Sequence, residues 1–221
     1  MLITGCLAIS VILVESQADA TGSVKGTQKR FYLPGVKDPS RIAYSSDNPA
    51  FSMPSQCWGF QIEPAMNAYS WTKLLLNQNA DVSEFDDEIL RSTVSLSIFN
   101  PASRKAAVDV VADFLRHSLR VTMDAVRREF NRLPDYPPID IQFAIPATWS
   151  HESQELSRQA MTRAWSDRRL QDSLTLIPEP EAAAEAVFEN LQPRPKIGDG
   201  ILICDCGGGT VVCLFSPSLL S

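Results

Sequence analysis

Ile201-Leu202-Ile203-Cys204-Asp205-Cys206-Gly207-Gly208-Gly209-Thr210-Val211-Val212-Cys213-Leu214-Phe215 sets two apolar runs on either side of a triple glycine. Ile201–Cys204 is apolar at every position, the pattern of a strand buried on both faces. Val211–Phe215 is β-branched and apolar, which again favours a strand. Glycine loops of the P-loop and dinucleotide-binding kinds open a helix, and neither GxxxxGK[ST] nor GxGxxG occurs here. The stretch therefore reads as strand, glycine turn, strand. Three successive glycines let backbone N–H groups converge on an anion, because no Cβ blocks close approach and positive φ is cheap. Thr210 adds a hydroxyl donor, and Asp205 supplies a carboxylate suited to hold Mg²⁺ through water. The plainer alternative is a flexible turn with a locally bonded aspartate. The acid before the glycines, the threonine after them and an apolar strand on each side favour phosphate.

Upstream of the turn, strands and helices alternate. Glu181–Leu191 is built from strong helix formers, and Leu174–Ile177 reads as a strand. Ser150 is placed to cap a helix running from about Glu152 to Leu170. Ile139, Ile141, Phe143 and Ile145 alternate along a strand that Pro146 stops. This interleaving predicts an α/β fold. Asn100 and Pro101 stand as cap and first residue of a long helix. Val108, Val111, Leu115, Leu119, Met123, Val126, Phe130 and Leu133 give it one apolar stripe until Pro134, at a length approaching ~50 Å. Such a stripe is a packing face and carries no chemistry. Residues 15–60 are rich in turn formers and predict loops with short strands. A short apolar helix is expected around Trp71–Leu76, followed by a solvated acidic stretch, Asp81–Glu88.

Composition narrows the function. The 221 residues suit one large domain or two small ones. With 44% apolar and 21% charged residues, wholesale disorder and fibrous structure are excluded. A net charge of −6 without a Lys/Arg block excludes a nucleic-acid binder that works by neutralising phosphates. The five cysteines are odd in number and form no CxxC pair, so neither a disulfide framework nor a zinc site is expected. Cys204 and Cys206, two apart on one strand, stand ~6–7 Å from each other on the same side, which disfavours a bond between them. They read as small buried hydrophobes of a reducing compartment. His117 and His151 are the only histidines, little material for a histidine metal site or triad. Residues 2–14 are nearly all apolar and Ala18-Asp19-Ala20 has a small-x-small pattern, together resembling a secretory signal. Against that, no Lys or Arg precedes Lys25 and no Asn-x-Ser/Thr sequon occurs. The apolar run is also too short to span a bilayer, so no transmembrane segment is expected. A buried segment or artefactual start, and a cytoplasmic protein, are favoured; secretion after cleavage at Ala20 is the alternative.

Three segments carry a family resemblance. Asp205–Thr210 (DCGGGT) resembles the second phosphate loop of the Hsp70 and actin-like ATPase superfamily. Phe143–Trp149 (FAIPATW) resembles that family's proline-containing strand and following helix, and Ile177–Val187 (IPEPEAAAEAV) its connecting segment. The Glu-Pro-Glu-Ala-Ala-Ala form is most similar to divergent Hsp70-like proteins of fungi, akin to the heat-shock 12 branch. Arg41–Asn48, Trp58-Gly59-Phe60 and Trp71–Leu76 follow that branch more loosely, so the likeness runs from about Arg30 to Phe215.

The resemblance implies an actin-like (ribonuclease H-like) first lobe over residues 25–195. Residues 196–221 would begin a second lobe with the phosphate-binding hairpin, and residues 1–24 would form a separate apolar segment. It implies Mg²⁺ with ATP or ADP as cofactor and co-chaperones or other proteins as partners. Asp205 takes the Mg²⁺-side carboxylate role, and Gly207, Gly208, Gly209 and Thr210 the phosphate cradle. Glu179 matches the acid that organises metal and attacking water, and Pro146 the proline that relays nucleotide state between lobes. Lys73 is matched to the catalytic lysine, an exposed helix lysine being the alternative. Departures accompany the match. Val212 stands where the family has a second aspartate, Glu181 replaces a usual threonine, and no D-x-G-T-[TS] first phosphate loop occurs. The function expected is thus an Hsp70-like nucleotide-binding domain fragment, weakly active or inactive as an ATPase alone. The alternatives are a non-catalytic regulatory fragment that binds partners and a sugar-kinase-type member of the superfamily.

Overall fold

The computed structural model describes residues 9–18, 24–32, 39–77, 105–129, 138–166, 168–169, 172–188, 201–206 and 211–216. In chain order its strands are β1 (Ile9–Ala18), β2 (Val24–Tyr32), β3 (Arg41–Tyr44), β4 (Gln56–Trp58), β5 (Ala68–Ser70), β6 (Ile139–Ile145), β7 (Ser173–Pro178), β8 (Ile201–Cys206) and β9 (Val211–Ser216). Three α-helices are described: α1 (Ala107–Glu129), α2 (His151–Ala164) and α3 (Glu179–Phe188). The fold is mixed α/β. Among the described residues no helix is long and apolar enough to cross a membrane.

The main sheet has the order β2-β1-β6-β7. β1 and β2 form an antiparallel hairpin, with Ser10 opposite Tyr32 and Ala18 opposite Val24. β1 also pairs antiparallel with β6, from Ile9 opposite Phe143 to Leu13 opposite Ile139. Residues 9–14 of the apolar amino-terminal run thus lie in an interior strand with a neighbour on each side. β6 and β7 are parallel, and α2 is the crossover between them, so β6-α2-β7 is a βαβ unit. Ile139, Ile141, Phe143 and Ile145 are all buried while Asp140 and Gln142 are half-buried, as their alternation requires.

α1 fills the space between this sheet and a second one of order β4-β3-β5. Val108, Val111, Leu115, Leu119 and Val126 are buried as the stripe predicts, and Val110 and Phe114 widen it. They share one core with Ile141 and Phe143 of β6, Met161 of α2, and Ile42 and Tyr69 of the small sheet. Burial of each such large side chain contributes roughly 1.5–3 kcal/mol. The small sheet alternates as well. Ile42, Tyr44 and Tyr69 face the main core, whereas Ala43, Cys57 and Ala68 join Ile62 and Met66 in a second cluster.

Several boundaries differ from the sequence expectations. α1 begins at Ala107, not at Pro101: the N–H groups of Asp109 and Val110 bond to the carbonyl of Ala106, and Lys105 leaves the helix to reach Asp113. Its 23 described residues span about 35 Å. Asn100, Pro101, Phe130 and Leu133 lie outside the described residues. α2 starts where Ser150 predicts but ends at Ala164, because Trp165 turns into the core and closes the helix with an N–H bond to the Met161 carbonyl. α3 begins two residues before the expected Glu181, at Glu179, with Pro180 in a first turn that needs no N–H. Residues 15–60 hold a nine-residue strand, β2, longer than the turn formers foretell. β8 and β9 form the expected antiparallel hairpin, but Leu202 is 65% exposed, so β8 is not buried on both faces there.

Candidate functional site

The parallel pairing of β6 and β7 sets Ile145 beside Pro178, which brings the next residues, Pro146 and Glu179, to one edge of the sheet. Carboxyl ends of parallel strands are where open α/β sheets bind ligands, since chain leaves the sheet there and helices begin. Pro146 is buried, and its carbonyl accepts the Trp149 N–H at 3.2 Å in a tight turn. Trp149 is buried against the core. Ser150 then caps α2, its Oγ accepting the Ser153 N–H at 3.2 Å. Glu179 opens α3, where the free N–H groups of the first turn favour a negative charge.

The third side chain arrives from the small sheet. After β5, Trp71 takes a left-handed conformation (φ 51, ψ 48), unusual for a bulky residue. It turns the chain into a 3-10 helix, Thr72–Leu76, whose Leu74, Leu75 and Leu76 are buried. That anchoring aims Lys73 at the edge of the main sheet. Lys73 Nζ donates to Glu179 Oε1, 106 residues away, and both side chains are about one-seventh exposed, at 14% and 15%. Its ammonium also lies 6.0 Å from the centre of the Trp149 ring. The alternative of Lys73 as an exposed helix lysine is thereby overturned.

Lys73, Glu179, Trp149 and Pro146 thus meet at one edge of the βαβ unit. A half-buried ammonium there supplies a counter-charge for an anionic group, and the carboxylate beside it an acceptor for a water proton or for water on a cation. α3, which Glu179 opens, packs on β8. Asp205 is the fifth residue of β8, directly opposite Val212 of β9. Directly opposed residues stand about 4.5–5.5 Å apart at Cβ, so the residue facing Asp205 across the hairpin, valine, adds no second carboxylate there. Gly207, Gly208, Gly209 and Thr210 lie outside the described residues. Among the described residues no group of three or more His, Cys, Asp or Glu is placed to hold a metal ion.

Sequence reasoning missed a second polar centre. Asp113 sits on the buried face of α1, 8% exposed, and accepts from four side chains. Tyr44 Oη lies at 3.0 Å and Gln56 Nε2 at 3.2 Å from Oδ2, Lys105 Nζ bonds the same oxygen, and Arg116 Nη1 lies 2.6 Å from Oδ1. Burial opposes ionisation of Asp113, but the bonds from Lys105, Arg116 and Tyr44 outweigh it and hold its carboxyl below the usual range. Tyr44 is pushed the other way, chiefly by burial and then by the Asp113 charge. Gln56 passes the network to His117 at 3.0 Å, and the Trp58 ring stacks on that imidazole at 5.3 Å. Burial, with Arg120 and Arg116 nearby, lowers the His117 pKa. With its oxygens taken by its own donors, Asp113 pins the small sheet onto α1 and so fixes the platform from which Lys73 projects. The signal was weak: the run Val108–Leu115 holds two acids, and Asp109 is half exposed and pairs with Arg163, so only the position of Asp113 beside the stripe residues Phe114 and Leu115 hinted at buried partners.

The chain matches no protein-family model, no curated protein and no solved structure.

Proposed function

We propose that this chain is an Hsp70-like nucleotide-binding lobe that takes Mg·ATP or Mg·ADP at the edge formed by β6, β7 and the β8–β9 hairpin. The observation that carries the reading is the Lys73–Glu179 pair at the carboxyl end of a βαβ unit, joining two segments the resemblance singles out. The donor set suits the group: an ammonium for phosphate charge, a carboxylate for metal-bound water, and a triple glycine between two strands for phosphate oxygens. Mg²⁺ would be held through water by Asp205 and Glu179, and it supplies charge neutralisation for phosphoryl transfer. Lys73 balances phosphate charge, Glu179 accepts a proton from a positioned water, and Trp149 shields the pair from solvent. Backbone N–H groups of Gly207, Gly208 and Gly209 and the Thr210 hydroxyl grip the phosphates. Pro146, beside Glu179 at the strand ends, couples occupancy to the start of α2.

Such sites work by positioning and electrostatic stabilisation, so each absent charge lowers the rate. Valine in register with Asp205 leaves the metal side one carboxylate short. The reading is therefore of a nucleotide binder with weak ATPase activity. That valine also favours a second reading, a regulatory lobe that binds co-chaperones or other proteins without turnover. Thermal unfolding with Mg·ATP and Mg·ADP tests the proposal. A ligand at 100 times its Kd adds about 2.7 kcal/mol, a rise of several degrees for a chain of this size. The rise is expected for the native chain and is abolished in Asp205→Ala. An unshifted midpoint in the folded native chain refutes nucleotide binding and leaves the partner-binding lobe.

A further inference from the structure

The register of the β8–β9 hairpin sets Cys204 directly opposite Cys213. Directly opposed residues of an antiparallel pair have Cα atoms about 4.5 or 5.5 Å apart, and disulfides span about 4.4–6.8 Å between Cα atoms. Cys206 instead opposes Val211, and Cys57 is paired with Ala43 in the small sheet as a buried free thiol. Of the cysteines at described positions, 204 and 213 are therefore the two that stand directly opposite each other across a strand pair. Cβ atoms of opposed residues stand about 4.5–5.5 Å apart, closest in pairs without ladder hydrogen bonds, near the upper end of the disulfide range of about 3.5–4.5 Å. Thiol–disulfide exchange with small-molecule disulfides is reversible, so a bond between opposed cysteines can be made and undone.

We propose that Cys204 and Cys213 are a reversible redox pair, oxidised to a cross-strand disulfide by small-molecule disulfides such as glutathione disulfide. The exchange balances in two displacements. The Cys204 thiolate attacks one sulfur of glutathione disulfide and one glutathione thiolate departs. The Cys213 thiolate then attacks the Cys204 sulfur of the mixed disulfide and releases the second. Two cysteine thiols are oxidised, one glutathione disulfide is reduced to two glutathiones, and the cysteine protons end on the products. The bond encloses Asp205–Val212 in a ring and so fixes the strand spacing beside the triple glycine. It requires only the hairpin register and holds whether or not the turn takes a phosphate.

The test is incubation of the folded chain in reduced and oxidised glutathione, acid quenching, alkylation and mass spectrometry of the cross-linked peptides, with the urea-unfolded chain in parallel. In the folded chain the Cys204–Cys213 peptide is expected to exceed every other internal cross-link by about tenfold, and in urea that preference disappears, as proximity-controlled exchange requires. Cys206→Ser keeps the cross-link and Cys213→Ser abolishes it. Should Cys213→Ser fail to fold, the Cys206→Ser chain still decides the matter. Dominance of Cys204–Cys206 or Cys206–Cys213 pairing overturns the proposal, as does glutathione capping of all three hairpin cysteines without an internal bond.

Discussion

Replacing Lys73 by Met, Glu179 by Leu, and both together separates a structural ion pair from one kept for function. Breaking a buried pair costs about 3–5 kcal/mol, because the surviving charge is left in a poorly hydrated place. The exposures of 14% and 15% place both side chains near that regime. The two singles are not equivalent. In Lys73→Met, Glu179 keeps the N–H groups of the first turn of α3, worth about 0.5–1 kcal/mol to a negative charge. That variant should lose about 3 kcal/mol. In Glu179→Leu, the ammonium keeps the Trp149 face at 6.0 Å, a weaker compensation, and the loss should approach ~4 kcal/mol. The double variant puts apolar groups of similar volume in the same place and should return to within about 1 kcal/mol of the native chain. Urea unfolding followed by circular dichroism reads all four chains. With a slope of about 2–3 kcal/mol per molar, the singles shift the midpoint by more than ~1 M and the double by under half of that. Additive losses, agreeing within about 0.5 kcal/mol, would refute the reasoning, as would a neutral Lys73→Met. A stable double variant with no nucleotide response would show a charge pair retained for binding.

Acid should unfold the protein in two stages. His117 has a folded pKa below its ordinary value of about 6.5, so its contribution is present above that pH and is lost as pH falls through the folded value. Asp113 and Asp172 are likewise held below the usual value of about 3.9, and their contribution is present above it and lost as pH falls further. Denaturant midpoints from pH 7.5 down to about 3 should show both declines; His117→Gln flattens the first and Asp113→Asn the second, and an unchanged profile in either variant contradicts the assignment. Ser150→Ala, which removes the cap bond to the Ser153 N–H, should cost about 1 kcal/mol, whereas Ser150→Asp costs a fraction of that. Equal losses in the two would mean that the cap is not what Ser150 contributes.

What could be read in advance depended on how local the cause was. β6 was legible to the residue, because alternation and a terminating proline both act within it. The β8–β9 hairpin and the start of α2 followed from equally local signals: the triple glycine between two apolar runs, and a capping serine. The start of α1 was not legible. Pro101 is a good first residue, yet Lys105 is drawn out of helix by Asp113 and by the face of Tyr44, a tertiary contact with no local sign. The end of α2 was misplaced for a similar reason, the burial of Trp165. Residues 2–14 are a run without period, and such a run does not distinguish a leader from an interior strand. At the site, Glu179 and Pro146 came from the resemblance, and the parallel register brings them to one edge. The partner of Lys73 lies 106 residues away, so nothing in the sequence around it distinguished a paired lysine from a solvated one. Asp113 left only a faint mark, since Asp109 sits in the same apolar run and is half exposed; Arg116 is its local i+3 partner, but Tyr44 and Gln56 come from separate strands that only the fold brings to it.

Calorimetric titration of Mg·ADP into the purified, folded chain bears most directly on nucleotide binding at the Lys73–Glu179 edge. A saturable isotherm with one site per chain is expected, lost in Asp205→Ala and in the Lys73→Met, Glu179→Leu double variant. Absence of saturable heat from the native chain, or equal affinity in all three proteins, would contradict it.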